Sequence, residues 1–389
     1  MEINEVLKIA VKQGASDIHL KVGLPPVFRI DGSLYPLKNA ARLTPDEISK
    51  TAEGIMNKKQ VEKFREINEV DLAYGVPGLG RFRVNVFQQR GTMGVVLRSI
   101  PVKIKNITEL YLPQILEKIA SEPRGLILVT GTTGSGKSTT LASMIDFVNS
   151  NRTCHIITIE DPIEFLHRDK KSIINQREIG FDTGSFAVAL KSALRQDPDV
   201  ILVGEMRDFE TIETALTAAE TGHLVMSTLH TVDATETVTR IISVFPPYQQ
   251  QQIRFQLGGI LKGIISQRLV PRADGKGRVP AVEVLISTAL IRECVYDKEK
   301  TKEIHDAIAK GFTVHGMQTF DQSLMFLYRR GLITYDEALR QSSNPDDFAL
   351  RVKGISSTSD STWDAFDKDA VEEKGEEEGG ADDIKIERF

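Results

Sequence analysis

Eight consecutive residues carry the densest chemistry in this chain: Gly131, Thr132, Thr133, Gly134, Ser135, Gly136, Lys137 and Ser138, with Thr139 directly behind them. They fit the pattern G-x-x-x-x-G-K-[ST] without a mismatch. Glycines allow a backbone to curl closely around a ligand. A helix opening behind them would present unpaired N–H groups and the positive end of its dipole. Together these features suit a polyphosphate anion. The Lys137 ammonium has the reach for β- and γ-phosphates, and the Ser138 hydroxyl suits a Mg²⁺ ion. The implied chemistry is binding of ATP or GTP.

Turnover needs a group that orients water and charges that stabilise the transition state. Two acidic clusters follow apolar runs, where strand ends would crowd around a ligand. The first contains Glu160, Asp161 and Glu164; the second runs from Asp197 through Glu205 to Asp208. Glu205 has an arm suited to holding Mg²⁺ through water, which leaves Glu164 as the candidate for activating the attacking water. Each acid on its own has a bland alternative, a solvated loop charge, which the occurrence of both clusters at strand ends downstream of the loop weakens. His223 and His230 bracket another apolar run. Contact with phosphate, coupling of a subunit interface and an ordinary hydrogen-bonded loop histidine all remain open for them; a metal site lacks an evident third ligand. Arg81, Arg83 and Arg98 lie on expected strands far from the glycine-rich loop. They read either as surface charges or as cations supplied across a subunit boundary, and Arg240 is a similar case.

The elements that must position these residues follow from periodicity. Leu126 to Val129 reads as a buried strand, and the residues after Ser138 as a helix. Apolar runs at 155–159, 200–203 and 224–228 alternate with helical stretches, the pattern of an α/β fold with a mostly parallel sheet. Runs at 264–270 and 281–286 flank Asp274 and Gly275 and predict a hairpin added to that sheet. Ahead of this lies an α+β domain over residues 1–100, with alternating runs at 27–30, 34–37, 71–74 and 80–87. Thr44 and Pro45 predict the start of a helix there. Residues 101–113 read as a linker, 114–288 as the nucleotide-binding domain and 289–355 as a helical region, with breaks expected near Gly311–Gly316, Gly331 and Asn344–Pro345. Residues 356–389 are too polar to offset ordering entropy and are expected to be disordered.

Composition narrows the class. The chain has 389 residues, 41% hydrophobic and 26% charged, as in ordinary globular proteins. Its net charge is −5, and eleven acids against four bases between Asp364 and Phe389 put that balance in the tail. The remainder is nearly neutral, which argues against a nucleic-acid binder. Cys154 and Cys294 are the only cysteines, too few for a disulfide framework or a four-cysteine zinc module. No transmembrane segment and no signal peptide is evident, so a cytoplasmic location is expected.

As a set, these segments resemble the secretion ATPase superfamily, in particular the PilT/PilU branch of type IV pilus retraction ATPases. Four motifs carry the resemblance: the Walker A run Gly131–Ser138, the "Asp box" Ile159–Glu164, the Walker B region Asp197–Asp208, and the "His box" Thr221–His230. Residues 16–20, 80–84, 274–278 and 316–322 are similar to it as well. The resemblance implies a PAS-like N-terminal domain and a RecA-like P-loop NTPase domain, assembled as a homo-hexamer. It implies ATP and Mg²⁺ as cofactors, docking at the inner membrane on a pilus platform protein, and removal of pilin for twitching motility. Carried over, Lys137 and Ser138 bind phosphate and Mg²⁺, Glu164 is the catalytic glutamate and Glu205 the Walker B acid. His230 belongs to the His box, and Arg81, Arg83 and Arg98 act in trans. The extra N-terminal domain and zinc motif usual in assembly ATPases of pili and type II secretion are missing, which favours retraction. Leu290-Ile-Arg-Glu293 preserves only part of a motif typical of PilT, and the acidic tail is more like PilU. An accessory ATPase working with a paralogous retraction ATPase is therefore the alternative.

Overall fold

The computed structural model describes residues 2–30 and 32–353, which divide into two units. The first comprises Met1–Lys103 together with Glu164–His167, and the second the rest. The expected disordered tail, 356–389, lies outside the described residues.

The first unit opens with helix α1 (Ile3–Lys12), which buries Val6, Leu7 and Ala10. Strands β1 (Asp17–Leu20), β2 (Val27–Ile30) and β3 (Ser33–Pro36) follow. Next come helices α2 (Pro45–Ile55) and α3 (Lys58–Ile67), then β4 (Glu69–Val76), β5 (Gly80–Gln89) and β6 (Thr92–Ser99). The Thr44 hydroxyl accepts from the Glu47 N–H while the Glu47 carboxylate accepts from the Thr44 N–H, a reciprocal cap that fixes where α2 starts. Helix α3 has the same device in Asn57 and Gln60 but buries only Phe64, so its apolar period is faint in the sequence. The strands form one antiparallel sheet in the order β3-β2-β1-β6-β5-β4. Alternation along β5 sends Phe82, Val84 and Val86 into the core, and Arg83 lies exposed on the opposite face.

The boundary falls between Lys103 and Ile104, inside the stretch read as a linker over 101–113. Its later part is not a solvated connector. Ile107 and Leu112 are buried in the core of the second unit, where they pack with helix α4 (Ile115–Ala120). A short apolar stretch without a period gave no sign of that burial.

The second unit holds seven strands: β7 (Gly125–Thr130), β8 (His155–Glu160), β9 (Ile173–Glu178), β10 (Val200–Val203), β11 (Leu224–Leu229), β12 (Leu261–Pro271) and β13 (Arg278–Ile286). Their order is β13-β12-β7-β11-β10-β8-β9, parallel from β12 to β9 with β13 antiparallel at one edge. This is the expected parallel sheet with the hairpin attached. Helices α5 (Lys137–Asn151), α6 (Phe186–Ala193), α7 (Phe209–Glu220), α8 (Ala234–Ser243) and α9 (Pro247–Ile260) connect the strands. Every residue of β7, β10 and β11 is buried, as a sheet covered on both faces requires. Strand β9 was missed because its apolar signal is only Ile173 and Ile174 on an edge. Helices α10 (Ala289–Tyr296), α11 (Ile304–Lys310), α12 (Phe312–His315), α13 (Phe320–Arg329), α14 (Tyr335–Gln341) and α15 (Pro345–Val352) form the helical region, broken where Gly311, Gly331 and Pro345 predict.

Candidate functional site

The glycine-rich loop leaves the buried strand β7 and runs straight into α5. Its shape depends on missing Cβ atoms. Gly131 and Gly136 have φ of 140° and 94°. A Cβ on Gly131 would lie 2.4 Å from the Gln267 carbonyl oxygen and 2.6 Å from Ser135 Oγ. One on Gly136 would lie 2.6 Å from Gln267 Nε2. Lys137 is buried and its ammonium donates to the carbonyls of Gly131 and Thr132, at 2.8 and 3.0 Å. Ser135 Oγ is buried with no hydrogen-bond partner among the described residues. An α-helix N-terminus, a buried ammonium and an unspent hydroxyl fit a polyphosphate.

The loop is held from the side by a residue that sequence reasoning passed over. Gln267 on β12 donates from Nε2 to the Ser135 carbonyl at 2.7 Å and accepts from the Thr140 hydroxyl at 2.7 Å. Its side chain thus clamps the loop to the first turn of α5. The available signal was Ser266 and Gln267, which with Arg268 separate the apolar pairs Ile264–Ile265 and Leu269–Val270. Both are buried, and buried polar groups need partners. A cavity of about 330 Å³ opens beside the loop. Arg268 and Arg278 of the hairpin, Val232 and Gln341 line it together with residues 131–135.

The other expected groups of this unit gather at the same edge of the sheet, because β7, β11 and β10 are neighbouring parallel strands. Glu205 follows β10 after Gly204, and His230 directly follows β11. Their side chains meet, with His230 Nε2 at 3.6 Å from one Glu205 oxygen and Arg207 Nε at 2.8 Å from the other. Gly204 is pinned between the neighbouring strands, donating to the Ile159 carbonyl and accepting from the Thr228 hydroxyl. Asp208 plays a local part: it caps α7 through the Thr211 N–H and hydroxyl. Burial pushes its carboxyl up, and the Thr211 bonds outweigh this to hold it below the usual carboxylate range. His223 is the hydrogen-bonded loop histidine, with Nδ1 2.9 Å from the Ala218 carbonyl.

Arg240 lies exposed on α8 of this unit, whereas Glu164, Arg81, Arg83 and Arg98 belong to the first unit. Strand β8 ends at Glu160, whereas Glu164 is exposed in the segment Glu164–His167 that groups with the first unit. Within that unit Leu166 donates to the Pro101 carbonyl. Arg98 and Arg83 are register partners on β6 and β5, and Asp17 and Arg29 extend the same row across β1 and β2. Arg98 Nε donates to Asp17 at 2.8 Å, so Arg98 has a partner in its own sheet. Burial raises the Asp17 carboxyl, but the Arg98 and Ser16 bonds leave it below its ordinary value. Arg83 is exposed and Arg81 half-buried on the adjoining strand.

Comparison with known proteins agrees with this architecture. The family model "Type II/IV secretion system protein" matches residues 1–351. The type IV pilus retraction ATPase PilT of Pseudomonas aeruginosa is 47% identical over 348 residues, 90% of this chain and all of the relative. The type IV pilus ATPase PilU of the same organism is 44% identical, covering 91% of this chain and 92% of its own. Among solved structures, the pilus retraction motor PilT with bound ADP superposes with a TM-score of 0.81 at 51% identity, over 89% of this chain and 98% of that one. No helix among the described residues is long and apolar enough to cross a membrane. The chain belongs to the type II/IV secretion system protein family, the family of the pilus retraction ATPases.

Proposed function

We propose that the chain hydrolyses ATP at the loop Gly131–Thr139 and, as a ring of six copies, uses that energy to withdraw a type IV pilus. The observation that carries this reading is the match to a retraction motor with bound ADP over nine-tenths of the chain, joined to a loop whose geometry fits a polyphosphate. In this reading the backbone of 131–136 cradles the phosphates and Lys137 pairs with the β/γ charge. Ser138 and Glu205 hold a Mg²⁺ ion, which when bound neutralises charge on the phosphoryl oxygens. Glu164 orients and deprotonates the attacking water. His230, beside Glu205, contacts phosphate or couples the site to the subunit interface. Arg81, Arg83 and Arg98 provide cations to the site of a neighbouring copy.

The finer architecture belongs to the same proposal: a PAS-like first unit and a RecA-like second unit, working on the cytoplasmic side of the inner membrane against the pilus platform protein. Pilin leaves the filament as the ring turns over, and no nucleic acid takes part. The 44% identity to PilU favours a second reading, an accessory ATPase that acts with a paralogous ring. One experiment separates them. Phosphate release by the purified chain with ATP and Mg²⁺ is expected to be substantial and to be abolished by Glu164→Gln. A chain without turnover, in cells whose fibres still retract after its gene is deleted, would exclude the motor assignment.

A further inference from the structure

A buried carboxyl in the second unit lies outside all four motifs. Glu283 sits on β13, 2% exposed, directly across from Ser266 on β12, which in turn faces Thr130 on β7. The three side chains form one hydrogen-bonded row. The Thr130 hydroxyl donates to Ser266 Oγ at 3.1 Å, and the Ser266 hydroxyl donates to Glu283 Oε1 at 3.2 Å. The same oxygen accepts from the backbone N–H of Ala234 at 2.8 Å, the first residue of α8. Each end of the row matters. Thr130 immediately precedes the glycine-rich loop, and Ala234 ends the segment that starts at His230 and includes Val232 at the cavity wall. Among the described residues, Thr231, Val232 and Asp233 otherwise bond to their own helix, through Thr231 to Thr237, Val232 to Glu236 and Asp233 to the Glu236 N–H, while His230 meets Glu205 beyond β10. Glu283 is therefore the side chain that ties the start of α8 to β12 and, through Ser266, to β7 beneath the loop.

We propose that Glu283 is a positioning residue for phosphate cleavage, setting the His230–Asp233 segment against the strand that carries the loop. A carboxyl at a helix N-terminus is favoured by the dipole and by the unpaired N–H it satisfies. In a sheet interior it also costs solvation, so an apolar residue would pack there more cheaply. The Asp233 carboxylate on the α8 cap and the His305 imidazole on α11 are the charges that act on it. The inference rests on the ATPase reading of the loop, because it concerns the rate of that reaction and not binding of nucleotide.

The test is steady-state hydrolysis by the full chain carrying Glu283→Leu, Glu283→Gln or Ser266→Ala, with folding checked by circular dichroism. Glu283→Leu is expected to lower kcat tenfold or more and change KM for ATP less than threefold, since Lys137 and the loop amides stay in place. Glu283→Gln retains an acceptor for Ala234 and should remain within twofold of wild type. Ser266→Ala leaves the acid and its helix contact but cuts the link to Thr130, and should lower kcat at least threefold. A folded Glu283→Leu chain with wild-type kcat, or one whose KM rises as much as kcat falls, overturns the proposal. So does a Glu283→Gln chain as slow as Glu283→Leu. If Glu283→Leu fails to fold, wild-type kcat in Ser266→Ala overturns it instead. A wild-type chain that never turns over ATP would refute the ATPase reading itself, which keeps the two failures apart.

Discussion

Replacing Glu283 by glutamine removes a titratable group from the interior and keeps its shape and one acceptor oxygen, so its effect on stability should depend on pH. Burial pushes this carboxyl up to about 7 from an ordinary 4.5, and the Asp233 charge adds to the rise. The Ala234 N–H, His305 and the Ser266 hydroxyl pull the other way without cancelling it. The folded protein therefore holds the proton more tightly than the unfolded chain does. Stability from this group is complete below pH 4.5 and is lost as pH rises through 7. At 1.36 kcal/mol per unit, the gap of about 2.5 units corresponds to about 3 kcal/mol of penalty carried by wild type at pH 8. Glutamine does not ionise and escapes it. Urea unfolding of both chains, followed by far-ultraviolet circular dichroism at pH 5 and pH 8, measures the difference. The variant should gain on wild type by about 2–3 kcal/mol between the two pH values. An offset between the chains that is the same at both pH values, or a variant that loses ground at pH 8, would refute the reasoning.

Lys137→Ala should reduce ATP hydrolysis at least a hundredfold, because the β/γ charge loses its partner; wild-type phosphate release would remove the loop from the mechanism. Gly131→Ala forces a Cβ to within 2.4 Å of the Gln267 carbonyl at a φ of 140°, and should cost about 3 kcal/mol in urea unfolding together with most nucleotide affinity. If arginines act across copies, mixing Arg83→Ala subunits with Glu164→Gln subunits should restore part of the hydrolysis that neither has alone. A mixture as inactive as its parents would leave Arg83 a surface charge of its sheet.

The glycine-rich loop, the strands around it and the breaks between the last helices were all legible in the chain, because each follows from local rules. Glycine at positive φ, apolar runs of strand length and proline or glycine stops act over a few residues. Thr44 and Pro45 announce a helix start by the same short-range logic. Membership of the ATPase family could be read from four motifs at fixed places. What stayed hidden, beyond the hairpin, were the side-chain partnerships made across the sheet. Gln267 clamps Ser135 from 132 positions away, and Glu283 reaches Ala234 over 49. Their partners are chosen by strand order and register, which the spacing of residues along the chain does not express. Glu164 likewise leaves the strand it seemed to end and groups with the first unit. Local sequence thus decided which residues form the glycine-rich loop. The tertiary structure decided which buried polar groups hold them in place, since burial makes a hydrogen bond obligatory and only the fold supplies its partner.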